Sequence, residues 1–303
     1  MAAAILLDSL TKRYRDKRLR VVEAVKNVSL TVDEGEAFGF VGPNGAGKTS
    51  TIKVIMGLNR PDGGRAEIFG IDAGSASARR RIAYVPENLY LYDYLTPLEF
   101  LMSGARMHGV AAHGLRQHCM KWLERFDVAH VAKKRVRTFS KGMTQRTALA
   151  HAMACSPRLL VLDEPLSGLD PVGRKLVVEV LQEYKAQGGT VFFSSHILHD
   201  VERLGDRFGI IHKGVLRIVS SPEELLGNAA RLSVLVRTRG ETAVEGFTPE
   251  GGNRWSRTVA RENLWPVLDM ARQAGHEVLE VQPQGVSLEE VFMTYIAGLQ
   301  PGQ

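Results

Sequence analysis

Cysteine is scarce in this chain: 303 residues hold two, Cys119 and Cys155, with no CxxC spacing. In a reducing compartment such a pair reads as two packing residues. Long apolar runs are missing as well, since no stretch reaches the roughly 18 residues a membrane span needs. The opening MAAAILLDSL carries an early Asp and no basic stretch ahead of its apolar residues. The expectation is therefore a chain with neither a span nor a signal peptide, made and kept in the cytosol. No internal repeat or low-complexity segment occurs, and no nucleic-acid-binding signature accompanies the basic residues.

What is present suffices for a folded enzyme-sized core. With 44% hydrophobic and 24% charged residues, the chain can bury one large α/β domain and has residues left for a second small one. The net charge of +6 is compatible with an anionic membrane surface, with nucleic acid or with solvated loops. Its densest basic run, Lys12 to Arg20, contains Tyr14 and reads as a loop between strands at Ile5–Ser9 and Val25–Val32. Tyr14 is either a stacking platform for a purine ring or a tyrosine packed on a strand edge.

The most informative stretch is GPNGAGKTST, Gly42 to Thr51. Gly42, Gly45 and Gly47 let the backbone take positive φ and turn successive N–H groups inward, so that with the following helix N-terminus they cradle phosphate oxygens. Pro43, Asn44, Ala46 and Ser50 complete the loop. Lys48 adds a point charge on the outer phosphates, and the Thr49 hydroxyl is suited to Mg²⁺. The apolar EAFGFVG before it reads as a strand, and Ser50 to Gly57 as a helix with Ile52, Ile55 and Met56 inward.

Beyond the loop, Asn59 to Gly64 is turn chemistry and Ala66–Phe69 a short strand, which implies a small antiparallel sheet. A strand at Ile82–Val85 stops at Pro86-Glu87. The following NLYLYDYLTP carries Tyr90, Tyr92 and Tyr94, either the centre of a protein interface or a buried subdomain core. Helices are expected from Thr96-Pro97 to about His108, from Leu115 to Phe126, and from Ser140-Lys141-Gly142-Met143 to Ser156. The last opens with Ser and Gly at a second anion-binding helix N-terminus. Leu159–Leu162 reads as a strand buried on both faces, and its C-terminal end delivers Asp163 and Glu164 to the crevice where parallel sheets bind ligands. Asp163 can hold Mg²⁺ and Glu164 can polarise a water for attack on a γ-phosphate. A turn through Asp170-Pro171 leads into the helix Val172–Gln187. Thr190–Phe193 is the next buried strand, and His196 at its end falls beside the two acids. Phe208–His212 and Val215–Val219 form a hairpin-like exit, and Pro222–Leu225 starts a short helix. From Arg231 the texture changes: strands at Leu232–Val236 and Val278–Val281, helices at Glu262–Gln273 and Leu288–Ala297, and a Gly-rich polar stretch from Arg239 to Asn253.

In this order the motifs resemble the nucleotide-binding subunit of an ATP-binding-cassette (ABC) transporter, over roughly residues 4 to 227. GPNGAGKT resembles the family's first nucleotide motif and VLDEP its second. FSKGMTQR resembles the signature helix, which in such proteins closes on the γ-phosphate of ATP bound to the other subunit. SGLD, with Asp170, resembles the loop that crosses the dimer, SSH the switch histidine, and Tyr14 the adenine-stacking aromatic. The resemblance implies an α/β fold: a P-loop NTPase core with a parallel sheet, a small antiparallel β-subdomain and a helical signature subdomain at about 88–156. Together these make an ATP-binding domain, 1–227, followed by a small C-terminal α+β domain, 228–303. It further implies ATP and Mg²⁺ as cofactors, with Thr49, Asp163 and Glu87 near the metal, and dimerisation with a second copy or a homologous ATPase. The other partner would be an integral-membrane permease, reached from the cytoplasmic face of the inner membrane. No nucleic acid is expected.

Two departures narrow the branch. Lys141 replaces the signature's first Gly and Met143 its Gln, and Glu87 stands where most relatives have Gln. Both resemble exporters whose separate ATPase serves a six-helix permease and carries a C-terminal appendage. A DNA-repair or translation role, and a non-hydrolysing switch, are the competing readings. Ser140 stands 92 positions after Lys48 with no heptads between, there is one motif set, and Glu164 and His196 are intact, all of which disfavour them.

Overall fold

The computed structural model describes residues 3–15, 18–224 and 233–283. It divides into two compact units, Met1–Val219 and Ser220–Gln303. The expected boundary at 227 lies outside the described residues, as do the expected helix Leu288–Ala297 and the end of the one at Pro222–Leu225.

The first unit is built on strands that are apolar on both faces. β3 (Ala37–Val41), β7 (Leu159–Leu162) and β8 (Thr190–Ser195) are buried at every position, as strands sandwiched between layers must be. With β6 (Ile82–Val85), β9 (Arg207–His212) and β10 (Val215–Ser220) they form a six-stranded sheet in the order β10-β9-β3-β8-β7-β6. The β6·β7, β7·β8, β3·β8 and β3·β9 pairs are parallel. Consequently the segments after β3, β6, β7 and β8 all leave from the same sheet edge. Phe38 and Phe192 stack across β3 and β8 with ring centroids 5.9 Å apart.

A second, antiparallel sheet has the order β2-β1-β4-β5, from β1 (Ala3–Arg15), β2 (Val21–Asp33), β4 (Gly63–Ile68) and β5 (Ile71–Asp72). Here the structure corrects the expected loop. β1 and β2 each run 13 residues, and Tyr14 sits inside the ladder opposite Val22. The cations that looked like loop chemistry have partners across the sheet: Arg13 Nε to Glu23 at 2.8 Å and Lys12 Nζ to Asp62 at 3.0 Å.

Four α-helices come next along the chain, the first after the glycine loop and the other three in the subdomain carried between β6 and β7. α1 (Lys48–Ile55) follows the glycine loop and buries Ile52, Val54 and Ile55. α2 (Pro97–Met107) opens with a capping box, Thr96 and Glu99 bonding each other's backbone N–H. It packs with α3 (Leu115–Arg125) and α4 (Lys141–Ala154). A Cβ on Gly104 would fall 1.9 Å from the His151 ring, so the bare glycine admits that ring, which stacks on Phe100 at 4.1 Å. Burial, with His108 adding a smaller effect, pushes His151 down to about 4. α5 (Pro171–Ala186) and α6 (Leu198–Leu204), the latter unexpected from sequence, pack on the parallel sheet.

Among its described residues the second unit is a four-stranded antiparallel sheet, β12-β13-β11-β14, with one helix against it. Its strands are β11 (Ser233–Arg239), β12 (Thr248–Gly251), β13 (Arg254–Ala260) and β14 (Glu277–Pro283). α7 (Leu264–Gln273) covers it through Val267 and Ala271, which pack on Val236 and Val259. The stretch read as polar and Gly-rich contains β12 and the turn into β13, where Gly251, Gly252 and Asn253 all take positive φ.

Candidate functional site

The glycine loop joins β3 to α1 at the strand-end edge of the parallel sheet. Gly47 has φ 113°, and a Cβ there would meet the Ala24 carbonyl oxygen at 2.4 Å. Gly42 would bring one to 2.3 Å from the Ile211 carbonyl oxygen. At Gly47 glycine is thus required by conformation and packing together, and Gly45 also takes positive φ, at 78°, whereas Gly42, expected there too, does not and is required by packing alone. The loop from Pro43 to Ser50, with Ala24, Glu87 and Glu164, lines a cavity of about 240 Å³. Lys48, 6% exposed, folds back over it, donating from Nζ to the Gly42 carbonyl at 2.6 Å.

The acids arrive from β7. Asp163 is buried and accepts the Ser194 hydroxyl at 2.6 Å on Oδ1, while its Oδ2 is buried with no hydrogen-bond partner. Glu164 Oε2 lies 2.8 Å from His196 Nδ1, and Oε1 lies 3.2 Å from Lys48 Nζ, an ion-pair contact without hydrogen-bond alignment. Glu164 also holds φ +52°. For a residue other than glycine that conformation costs of order 1–3 kcal/mol and persists only where neighbours enforce it. The neighbours are visible: the Glu164 N–H donates to Ser194 Oγ at 2.9 Å and its carbonyl accepts the Ser167 N–H at 3.1 Å. Burial together with the carboxylates of Asp163 and Glu87 pushes the nearby Tyr84 phenol up to about 12.

Phosphate and Mg²⁺ fit this arrangement. An unpaired buried carboxylate oxygen on Asp163 and the Thr49 hydroxyl in the same region suit a cation that keeps most of its water and brings its own phosphate oxygens. Among the described residues there is no cluster of three His, Cys, Asp or Glu that would form a self-sufficient metal cage.

Of the residues singled out in sequence, the structure brings Pro43 to Ser50, Glu87 and Glu164 to one cavity, with Gly42 behind it and Asp163 and His196 adjoining Glu164. Ser140, Lys141, Gly142, Met143 and Asp170 do not line it. Ser140 caps α4, accepting the Met143 N–H at 3.2 Å, and Asp170 caps α5, accepting the Gly173 N–H at 2.7 Å. These two caps lie near one another, since a Cβ on Gly168 would meet the Lys141 stem at 2.7 Å. Tyr14 does not line the cavity either; its hydroxyl accepts from Asn59 Nδ2 at 2.8 Å and Lys12 Nζ lies 5.5 Å from its ring centre. Ser194 and Gln145 were not singled out. Gln145 is 3% exposed and donates to the Pro165 carbonyl at 2.9 Å. Tyr90, Tyr92 and Tyr94 are exposed, at 94%, 59% and 67%, which rules out the buried-core alternative for that loop.

Comparison with known proteins agrees with the geometry. A family model described as ABC transporter matches residues 25–167. An uncharacterised ABC transporter ATP-binding protein of Nostoc sp. (strain PCC 7120) is 37% identical over 97% of this chain and 90% of its own length. A daunorubicin resistance ATP-binding protein of Streptomyces coeruleorubidus is 32% identical over 96% of this chain and 95% of its own. A solved structure of an ATP binding subunit of an ABC transporter superposes with a TM-score of 0.68 at 31% identity, covering 74% of this chain and 92% of that one.

Proposed function

The chain belongs to the family of ABC transporter ATP-binding proteins, and from that membership we propose that it is the ATP-hydrolysing subunit of an exporter. Two copies enclose two ATP molecules and drive a separate membrane permease from its cytoplasmic face. The observation that carries the ATPase reading is the convergence of Lys48 and His196 on the buried Glu164 carboxylate, next in sequence to Asp163 with its unpaired Oδ2.

The roles follow from the contacts. The loop N–H groups and Lys48 bind the outer phosphates, so an incoming γ-phosphate competes with Gly42 and Glu164 for the Lys48 ammonium. Release of that ion pair leaves Glu164 Oε1 free to accept a proton from, and align, a water for in-line attack. His196, holding the other oxygen, fixes the carboxylate's orientation and stands where it can sense the γ-phosphate. Thr49 and Asp163, with Glu87 alongside, would hold Mg²⁺, which neutralises charge on the phosphate oxygens when bound. Ser140, Lys141, Gly142 and Met143, at a helix N-terminus outside the chain's own cavity, serve the ATP of the second copy, with Asp170 crossing between copies. Tyr14 stacks on adenine.

No helix among the described residues is long and apolar enough to cross a membrane. The exposed Tyr90, Tyr92 and Tyr94 are the proposed contact with the permease, because exposed aromatics are the side chains that anchor interfaces. The resistance for which the Streptomyces relative is named supports the exporter reading. The test is co-purification from detergent-solubilised membranes: wild-type protein should carry a multi-span partner, and Tyr92→Asp should lose it while keeping its basal ATPase. An active ATPase that associates with no membrane protein would favour an ABC-fold ATPase unconnected to transport.

A further inference from the structure

Glu164 sits in a left-handed conformation immediately before a proline, and something must hold it there. On its upstream side the restraint is Ser194, which takes the Glu164 N–H. On its downstream side the Glu164 carbonyl accepts the Ser167 N–H at 3.1 Å, and the proline ring fixes φ of residue 165 but leaves the Pro165 carbonyl free to swing. That carbonyl accepts the side-chain amide of Gln145 at 2.9 Å, a buried bond between groups 20 residues apart in sequence. Gln145 lies in the second turn of α4, the helix capped by Ser140, and α4 thereby touches the catalytic loop at a second point besides the Lys141 stem on Gly168.

We infer that Gln145 is a positioning residue: it locks the Pro165 carbonyl, completes the clamp on the Glu164 backbone begun by Ser194, and so ties the aim of the Glu164 carboxylate to α4 of the same chain. The inference rests on the assignment of Glu164 as the residue that aligns water. Its consequence is directional. Anything that shifts the N-terminal turns of α4 reaches the residues beside Glu164 through the Gln145 bond, with the Lys141 stem on Gly168 further along the same loop, whereas the phosphate loop is held by the Gly42 N–H on the Ser195 carbonyl and by the close approach of Gly47 to Ala24.

The experiment compares full-length wild type with Gln145→Met, which keeps the length of the side chain and removes the donor, and with Gln145→Leu, which removes the donor on a side chain one atom shorter. Since one net hydrogen bond governs the effect, kcat should fall about three- to tenfold in both, with KM for ATP within about twofold because nucleotide contacts are untouched. Glu164→Gln measured alongside separates this idea from its premise. If Glu164→Gln keeps full activity, the premise about Glu164 is wrong. If Glu164→Gln is inactive and both Gln145 variants retain wild-type kcat, the positioning role is wrong. A KM rise matching the kcat fall, or loss of the folded protein in both variants, overturns it too, since Gln145 would then be serving nucleotide binding or the fold rather than Glu164.

Discussion

Removing one hydroxyl should loosen both acidic residues at once. Ser194 is fully buried, donates to Asp163 Oδ1 at 2.6 Å and accepts the Glu164 N–H at 2.9 Å. Ser194→Ala deletes both bonds. Asp163, whose Oδ2 already lacks a partner, would then have neither oxygen hydrogen-bonded, and the Glu164 N–H would be orphaned. Each buried group left without a partner costs about 1–3 kcal/mol, more when charged, so the pair amounts to roughly 2–6 kcal/mol. Water entering from the adjoining cavity offsets part of this, which favours the lower half of the range. Urea unfolding reads it out: Trp122 is the one tryptophan of the first unit, so a Trp255→Phe/Trp265→Phe background isolates that unit's transition. We expect a loss of about 2–3 kcal/mol, together with a fall in ATP turnover as Glu164 loses its upstream restraint. A loss under about 0.5 kcal/mol, the range of an ordinary surface substitution, would refute the bridging role of Ser194.

Three other outcomes follow from named contacts. Tyr14→Ala should weaken ATP binding by about 1–3 kcal/mol, the value of a base–aromatic stack, and spare maximal turnover; unchanged affinity by fluorescence titration would remove Tyr14 from the site. His151 has a folded value lowered to about 4, so the unfolded chain binds the extra proton first as pH falls. Stability from this group is full above about pH 6.5 and drains away toward pH 4, by up to roughly 3 kcal/mol; urea midpoints across that window should flatten in His151→Gln, and an unaltered slope would contradict the assignment. Tyr92→Asp should cost partner binding and not stability, because the ring is more than half exposed; a lowered melting temperature would count against an interface role.

How much of this was readable beforehand depends on the distance over which each feature is determined. The phosphate loop, the buried Leu159–Leu162 strand with its terminal acids, and the Thr96–Glu99 capping box are local patterns, and the structure has them where the residues implied. The strand extension through Tyr14 was hidden because the partners that make Lys12 and Arg13 acceptable in a ladder, Asp62 and Glu23, are remote in sequence. Ser194 and Gln145 were invisible for the same reason: their bonds to residues 163–165 span 20 to 31 positions. The left-handed Glu164 gave no signal, since nothing about Glu before Pro favours it. In the second unit, TPEG and RWSRTVA carry too little apolar alternation to announce β12 and β13, which exist because β11 and α7 supply the cover.

Binding of ATP and its cleavage separate at Glu164. Glu164→Gln keeps the side chain's shape and removes the charge that aligns water, while the loop, Thr49 and the Lys48 bond to the Gly42 carbonyl are kept. With ATP and Mg²⁺, this variant should bind nucleotide at least as tightly as wild type, because Lys48 no longer has the Glu164 charge to leave, lose turnover by about two to four orders of magnitude, and elute from size exclusion as a dimer that reverts to monomer without ATP. Hydrolysis at the unmodified rate, or a monomer with ATP bound, would contradict it.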